Sequence, residues 1–114
     1  MKQSLKNIYL HFPYCEAKCH YCDFFSFAES KFKEEDRSNI YNAILSEIDL
    51  HQEFFSQALD TVFLGGGTPS LIPFDFLEKT FYRLQTTAQT EITLEANPSS
   101  VTKEKAQFWR ILGI

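Results

Sequence analysis

The sequence predicts an α/β fold of three consecutive βα units, and three observations predict it. Short apolar, β-branched runs occur three times along the 114 residues. Each is followed by a loop of distinctive composition, and each loop by a segment whose apolar residues recur at helical spacing. Connections of this length return each strand parallel to the one before it through a right-handed crossover.

The first unit opens with Lys6 to Phe12, where Ile8, Leu10 and Phe12 fall on one face and Tyr9 and His11 on the other. After a cysteine-bearing loop, Tyr41, Ile44, Leu45 and Ile48 mark a helix between Lys33 and Phe55. The Lys31 to Arg37 charge run reads as its solvated start, and His51 as a surface residue. Phe24-Phe25-Ser26-Phe27 reads as packing over this helix.

The second unit starts at Asp60-Thr61-Val62-Phe63-Leu64 and is expected to stop at Gly65-Gly66-Gly67. Pro73 suits the first position of its helix, with Phe74, Leu77, Phe81 and Leu84 on one stripe. In the third unit, Glu91 to Glu95 alternates Ile92 and Leu94 with Thr93 and Glu95. Asn97-Pro98 ends that strand, Thr102 caps a helix through Leu112, and Gly113 closes it.

Composition narrows the function. The chain is 44% hydrophobic and 16% aromatic, enough for one globular core. A net charge of -4 and a pI near 5.3, with no basic run interleaved with aromatics, speak against nucleic acid as a partner. The only apolar stretch near the N-terminus, Ile8-Tyr9-Leu10, is interrupted by His11 and Pro13, which fits neither a signal peptide nor a membrane span. A cytoplasmic location is expected.

All 3 cysteines, Cys15, Cys19 and Cys22, sit in one short run. Odd in number and closely spaced, they favour ligation over a disulfide framework. An iron-sulfur cubane held by cysteines normally takes four, so three would leave one iron open to a ligand that is not protein. A zinc site completed by His11 or His20 is the competing reading, although His20 lies inside the tight Cys19 to Cys22 turn. The glycine run has neither the GxGxxG spacing of a dinucleotide site nor the Lys-Ser/Thr ending of a P-loop. It is either a tight strand-to-helix turn or a place where backbone approaches a ligand. The loops after the three strands fall at one edge of such a sheet, where ligands collect.

Four ordered motifs resemble the radical S-adenosylmethionine superfamily, in the branch that holds oxygen-independent coproporphyrinogen III oxidase and the haem chaperone HemW. They are Tyr9-Leu10-His11-Phe12-Pro13-Tyr14-Cys15, Cys22-Asp23-Phe24, Gly65-Gly66-Gly67-Thr68-Pro69-Ser70 and Leu94-Glu95-Ala96-Asn97-Pro98. The oxidases carry a Cys-Gly-Cys ending where this chain has Cys22-Asp23-Phe24, so the resemblance is closer to HemW.

The resemblance implies a 4Fe-4S cluster on Cys15, Cys19 and Cys22, with S-adenosylmethionine filling the open iron. Gly66, Gly67 and Thr68 would meet the methionine end of that cofactor through free amides and carbonyls, and Glu95 its ribose hydroxyls. Tyr9 and Tyr21 would hold the nucleoside, although each is otherwise an ordinary core aromatic. Glu95 alone would read as a solvated strand-end carboxylate. His11 is open between a role beside the cluster or substrate and a structural hydrogen bond. No catalytic residue is assigned.

Residues 1–114 are expected to be the N-terminal half of a partial TIM-type barrel, stopping before a fourth strand and inactive alone. The expected function is that of a haem chaperone, with haem or porphyrin as a partner of the longer protein. The alternatives are oxidative decarboxylation of coproporphyrinogen and non-catalytic haem carriage.

Overall fold

The computed structural model describes residues 5–15, 27–28, 33–55 and 57–114, with the backbone alone at Cys15, Phe27 and Ala28. Three parallel strands form the central sheet in the order β1 (Asn7–Phe12), β4 (Thr61–Gly66), β5 (Glu91–Leu94). Two helices, α1 (Glu34–Leu50) and α2 (Phe74–Arg83), lie between those strands in sequence, and α3 (Lys103–Leu112) follows the last. The expected α/β class and its parallel order therefore stand.

Register decides which side chains share a face. Tyr9 pairs with Phe63 and Phe63 with Thr93; Leu10, Leu64 and Leu94 form the next row. Because side chains alternate along a strand, Ile8, Leu10, Phe12, Val62, Leu64, Ile92 and Leu94 all turn to one side. That side joins Tyr41, Leu45 and Ile48 of α1, Phe76 and Leu77 of α2 and Trp109 of α3 in a single core. The opposite side, carrying Tyr9, His11, Phe63 and Thr93, receives no helix among the described residues. Tyr9 is 57% and Phe63 38% exposed there, their rings stacked 5.8 Å apart.

Four local expectations are corrected. The first helix ends at Leu50, and Gln52–Phe54 is a 3-10 turn. This tightening, common at helix ends, turns Phe55 into the core and lets Phe54 O accept a bond from the Leu5 N–H at 2.8 Å. The second central strand does not stop before the glycines, since Gly65 and Gly66 pair with His11 and Phe12. Pro73 is the N-cap, extended at ψ 146°, and the helix begins at Phe74.

The stripe on α2 is also wider than expected. Leu77 and Leu84 are buried, but so are Phe76 and Thr80, while Phe74 and Phe81 are half-buried. The helix has three neighbours to satisfy. Leu77 joins the core below the sheet, Phe76 meets Tyr41 of α1 with ring centroids 4.7 Å apart, and Phe74 stacks on Phe108 of α3 at 4.4 Å. Thr80 turns its hydroxyl back onto Phe76 O at 2.8 Å, which satisfies it within the helix.

The helix of the third unit follows expectation. Thr102 Oγ1 accepts the Lys105 N–H at 3.1 Å, and Gly113 closes α3 in the left-handed region at φ 95°. His51 is exposed. Glu34, Glu35 and Asp36 form an acidic, exposed first turn on α1, matching the positive end of the helix dipole. No helix among the described residues is long and apolar enough to cross a membrane.

Candidate functional site

All three central strands point the same way, so their carboxyl ends meet at one edge of the sheet. Backbone hydrogen bonds stitch the loops that leave this edge. The Gly67 N–H donates to Phe12 O at 2.6 Å and the Thr68 N–H to Tyr14 O at 2.7 Å, tying the glycine loop to the start of the cysteine loop. The Asn97 N–H donates to Ser70 Oγ at 3.3 Å, tying it to the loop after β5.

These bonds correct one expectation. The amides of Gly67 and Thr68 are not free, because Gly67 continues the β1–β4 ladder past its last pair and Thr68 bonds to Tyr14 beyond β1, and Thr68 O accepts the Leu71 N–H at 2.9 Å. The Gly67 carbonyl accepts no backbone bond from the described residues. It lines an open depression of about 230 Å³ with Thr68, Pro69, Glu95, Ala96 and Asn97. A 3-10 turn over Pro69–Leu71, not foreseen from the sequence, buries Pro69 and Ser70 beneath it.

Glycine is required here for two separate reasons. Gly66 has φ 113°, and a Cβ on it would run into the backbone O and N of Phe12. At Gly65 a Cβ would lie 2.5 Å from Glu95 Oε1 and 2.9 Å from the ring and hydroxyl of Tyr9. Tyr9 on β1 and Glu95 just past the end of β5, on either side of β4, therefore reach over the same glycine. Gly65, which sequence reasoning left outside the candidate residues, is the floor on which they meet. Its only signal was membership of the glycine run.

Glu95 is exposed, and its N–H donates to Leu64 O at 3.0 Å, so the residue is held at the strand end while its carboxylate is left to solvent. The Tyr9 hydroxyl is hydrogen-bonded to His11 Nδ1 at 3.2 Å. His11 is thus engaged on the open face, next to the Tyr9 ring.

The first cysteine is placed by backbone. After Pro13 the chain forms β2 (Tyr14–Cys15), which pairs in parallel with β3 (Phe27–Ala28), Cys15 opposite Ala28. This short ladder joins the two ends of the segment that carries Cys19 and Cys22. Cys19, Cys22, Tyr21 and His20 lie outside the described residues, as do Phe24 to Ser26. Among the described residues no three His, Cys, Asp or Glu side chains gather as a metal site.

Tyr14 is buried, edge-on to Tyr41 with centroids 6.1 Å apart. Burial raises its phenol pKa above the ordinary value; Asp36 raises it further and Arg37 opposes the shift.

Comparison with known proteins places these features in a family. The model of the radical SAM superfamily matches residues 9–114. The heme chaperone HemW of Escherichia coli (strain K12) is 33% identical over 113 residues, covering 95% of this chain and 29% of that protein. HemW of Haemophilus influenzae is 35% identical over 118 residues, covering 95% and 30%. Among solved structures, coproporphyrinogen III oxidase (HemN) from Escherichia coli, titled a radical SAM enzyme, superposes with a TM-score of 0.82 at 20% identity, over 98% of this chain and 26% of that one. The chain thus spans about 30% of the length of the relatives it matches.

Proposed function

This chain belongs to the radical SAM superfamily, and from that premise we propose that it is the cluster-binding and S-adenosylmethionine-binding part of a HemW-like haem chaperone. The observation that carries the reading is the meeting of Tyr9 and the Glu95 carboxylate over Gly65, on the open face and at the carboxyl edge of a parallel sheet. The superfamily in general works with a 4Fe-4S cluster and S-adenosylmethionine. The residues present fit that pair. A Cβ at Gly65 would fill the space that Tyr9 and Glu95 share, the depression beside Glu95 offers a carbonyl and a carboxylate, and three thiolates stand in one loop.

Cys15, Cys19 and Cys22 are the residues that would hold the cluster, which when bound supplies an electron to the cofactor's sulfonium. The ladder between β2 and β3 fixes the entry of that loop beside the glycine turn, through the bond from Thr68 to Tyr14 O. The Gly67 carbonyl can accept from an ammonium group, and Gly66 with Thr68 shapes the turn that presents it. The Glu95 carboxylate can accept from two vicinal hydroxyls, which suits a ribose. Tyr9 and Tyr21 offer aromatic faces to the nucleoside. All of these residues bind and orient; none of them transfers a proton.

Residues 1–114 are then the N-terminal part of a longer radical SAM core, with haem or a porphyrin bound by the whole protein. HemW relatives are named heme chaperones, and Asp23-Phe24 after Cys22 sets the chain apart from the Cys-Gly-Cys ending of the oxidases. Anaerobic reconstitution tests the core of this reading. The expected result is a brown protein with about four irons per chain, whose reduced paramagnetic resonance spectrum changes when S-adenosylmethionine is added. Stoichiometric zinc without iron-sulfur absorption would overturn it. On the intact protein, haem transfer to an acceptor supports the chaperone, whereas decarboxylation of coproporphyrinogen would replace it with the oxidase.

A further inference from the structure

Lys105 stands where helix electrostatics disfavour it. It is the third residue of α3, in the first turn, where the dipole presents its positive end and acidic residues are the stabilising choice. Its ammonium nonetheless turns inward and donates to two backbone carbonyls, Ser70 O and Ser100 O, each at 2.9 Å. Ser70 is fully buried and belongs to the turn after the glycine run; Ser100 belongs to the turn after Glu95. The same two residues are joined by their hydroxyls, and Ser100 Oγ also donates to Asn97 O at 2.8 Å. Asn97 and its neighbours Ala96 and Glu95 line one side of the depression, and Gly67, Thr68 and Pro69 the other.

We infer that Lys105 is a positioning residue for this pocket: by holding Ser70 O and Ser100 O on one ammonium, it sets the spacing between the glycine turn and the Glu95 loop, and with it the affinity for the ligand between them. The inference rests on the proposed S-adenosylmethionine site and adds a determinant that touches neither cofactor nor cluster. A bonded lysine at a helix start breaks a local rule, and such breaks gather where the fold serves a site. Charge-assisted bonds to two carbonyls are stronger and more directional than neutral ones, which suits holding two turns in register.

The test is anaerobic titration of S-adenosylmethionine into the cluster-loaded protein, read by calorimetry and by the spectrum of the reduced cluster. Lys105→Met keeps the aliphatic stem and removes the donor; its dissociation constant is expected to rise about tenfold, as for other outer-shell partners, with iron content unchanged. Lys105→Arg, which can still donate to both carbonyls, is expected to restore most of the affinity. Ile48→Val, which trims a buried side chain of α1 outside the lining of the depression, is expected to cost stability and leave the affinity alone.

Binding by Lys105→Met within twofold of the parent, or an equal loss in Ile48→Val, overturns the inference while leaving the cofactor site standing. Should Lys105→Met fail to fold, Lys105→Gln, whose shorter neutral side chain cannot hold both carbonyls on one ammonium, takes its place, and binding within twofold of the parent there overturns the inference equally. A parent protein that takes up cluster but no S-adenosylmethionine overturns the site itself, and the inference with it.

Discussion

Glu95 and Gly65 are complementary in shape: the carboxylate of one occupies the space that a side chain on the other would need, with Oε1 2.5 Å from the position of the missing Cβ. The relationship is lateral, since β5 and β4 are neighbours in the sheet and Glu95 follows the last paired residue.

Gly65→Ala tests this relationship directly. The atoms in the way are the far ends of two exposed side chains, Glu95 and Tyr9, which can swing aside at little cost to the fold. Although Gly65 is buried, the displaced atoms are side-chain ends, so the variant is expected to lose only about 1 kcal/mol of stability, yet to weaken S-adenosylmethionine binding by about tenfold or more because both side chains leave the shared position. Thermal unfolding and anaerobic titration on the same preparation separate the two effects.

Gly66→Ala is expected to behave oppositely. Its φ of 113° is strained for any residue with a Cβ, and the obstacle is the Phe12 backbone, which cannot move without opening the β1–β4 ladder. Left-handed strain and a lost ladder contact together predict a loss of at least about 2 kcal/mol, read as a lower denaturation midpoint with unchanged slope. A Gly66→Ala protein as stable as its parent would remove the structural reason for that glycine.

The contrast between these adjacent glycines marks how far the sequence could be read. Parallel strand direction, helix caps at Thr102 and Gly113, and the convergence of three loops follow from local patterns, because apolar periodicity and capping chemistry are properties of short segments. What was missed depends on register. A glycine run reads as a strand breaker until Gly65 and Gly66 are seen opposite His11 and Phe12, and the amides of Gly67 and Thr68 look free until Phe12 O and Tyr14 O claim them. Phe76 lies off the expected stripe because its partner, Tyr41, comes from a different helix. The pairing of Cys15 with Ala28 and the grip of Lys105 on two turns are likewise non-local, and no window of sequence contains both partners.

Tyr14 is expected to contribute to the loss of stability at alkaline pH. Its buried phenol has a raised pKa, so the folded state keeps a proton that the unfolded state releases near pH 10. The stabilisation is complete below the unfolded value and is lost as pH rises toward the folded one. Unfolding free energy measured by urea between about pH 9 and 11 is expected to fall with pH. Tyr14→Phe should flatten that limb, and an unchanged slope in the variant would assign the limb to other groups.

Glu95→Gln separates charge from shape at the same strand end. The backbone N–H of residue 95 is held by Leu64 O whatever the side chain, and the carboxylate makes no ion pair among the described residues. The amide substitution is therefore expected to leave the unfolding midpoint within about 2 °C of the parent, the behaviour of an exposed position. The ligand sees a larger change. A carboxylate accepts from two vicinal hydroxyls at once, whereas the glutamine amide offers one oxygen and must turn an N–H toward the second hydroxyl. Charge-assisted bonds are also about twice as strong as neutral ones. S-adenosylmethionine affinity is expected to drop between about 10- and 100-fold, the equivalent of one or two such bonds, while the iron content of the reconstituted protein stays at the parent value. Glu95→Asp keeps the charge but withdraws it by one methylene, and is expected to fall between the two. Equal affinity across all three would mean that no ligand hydroxyl reaches this carboxylate.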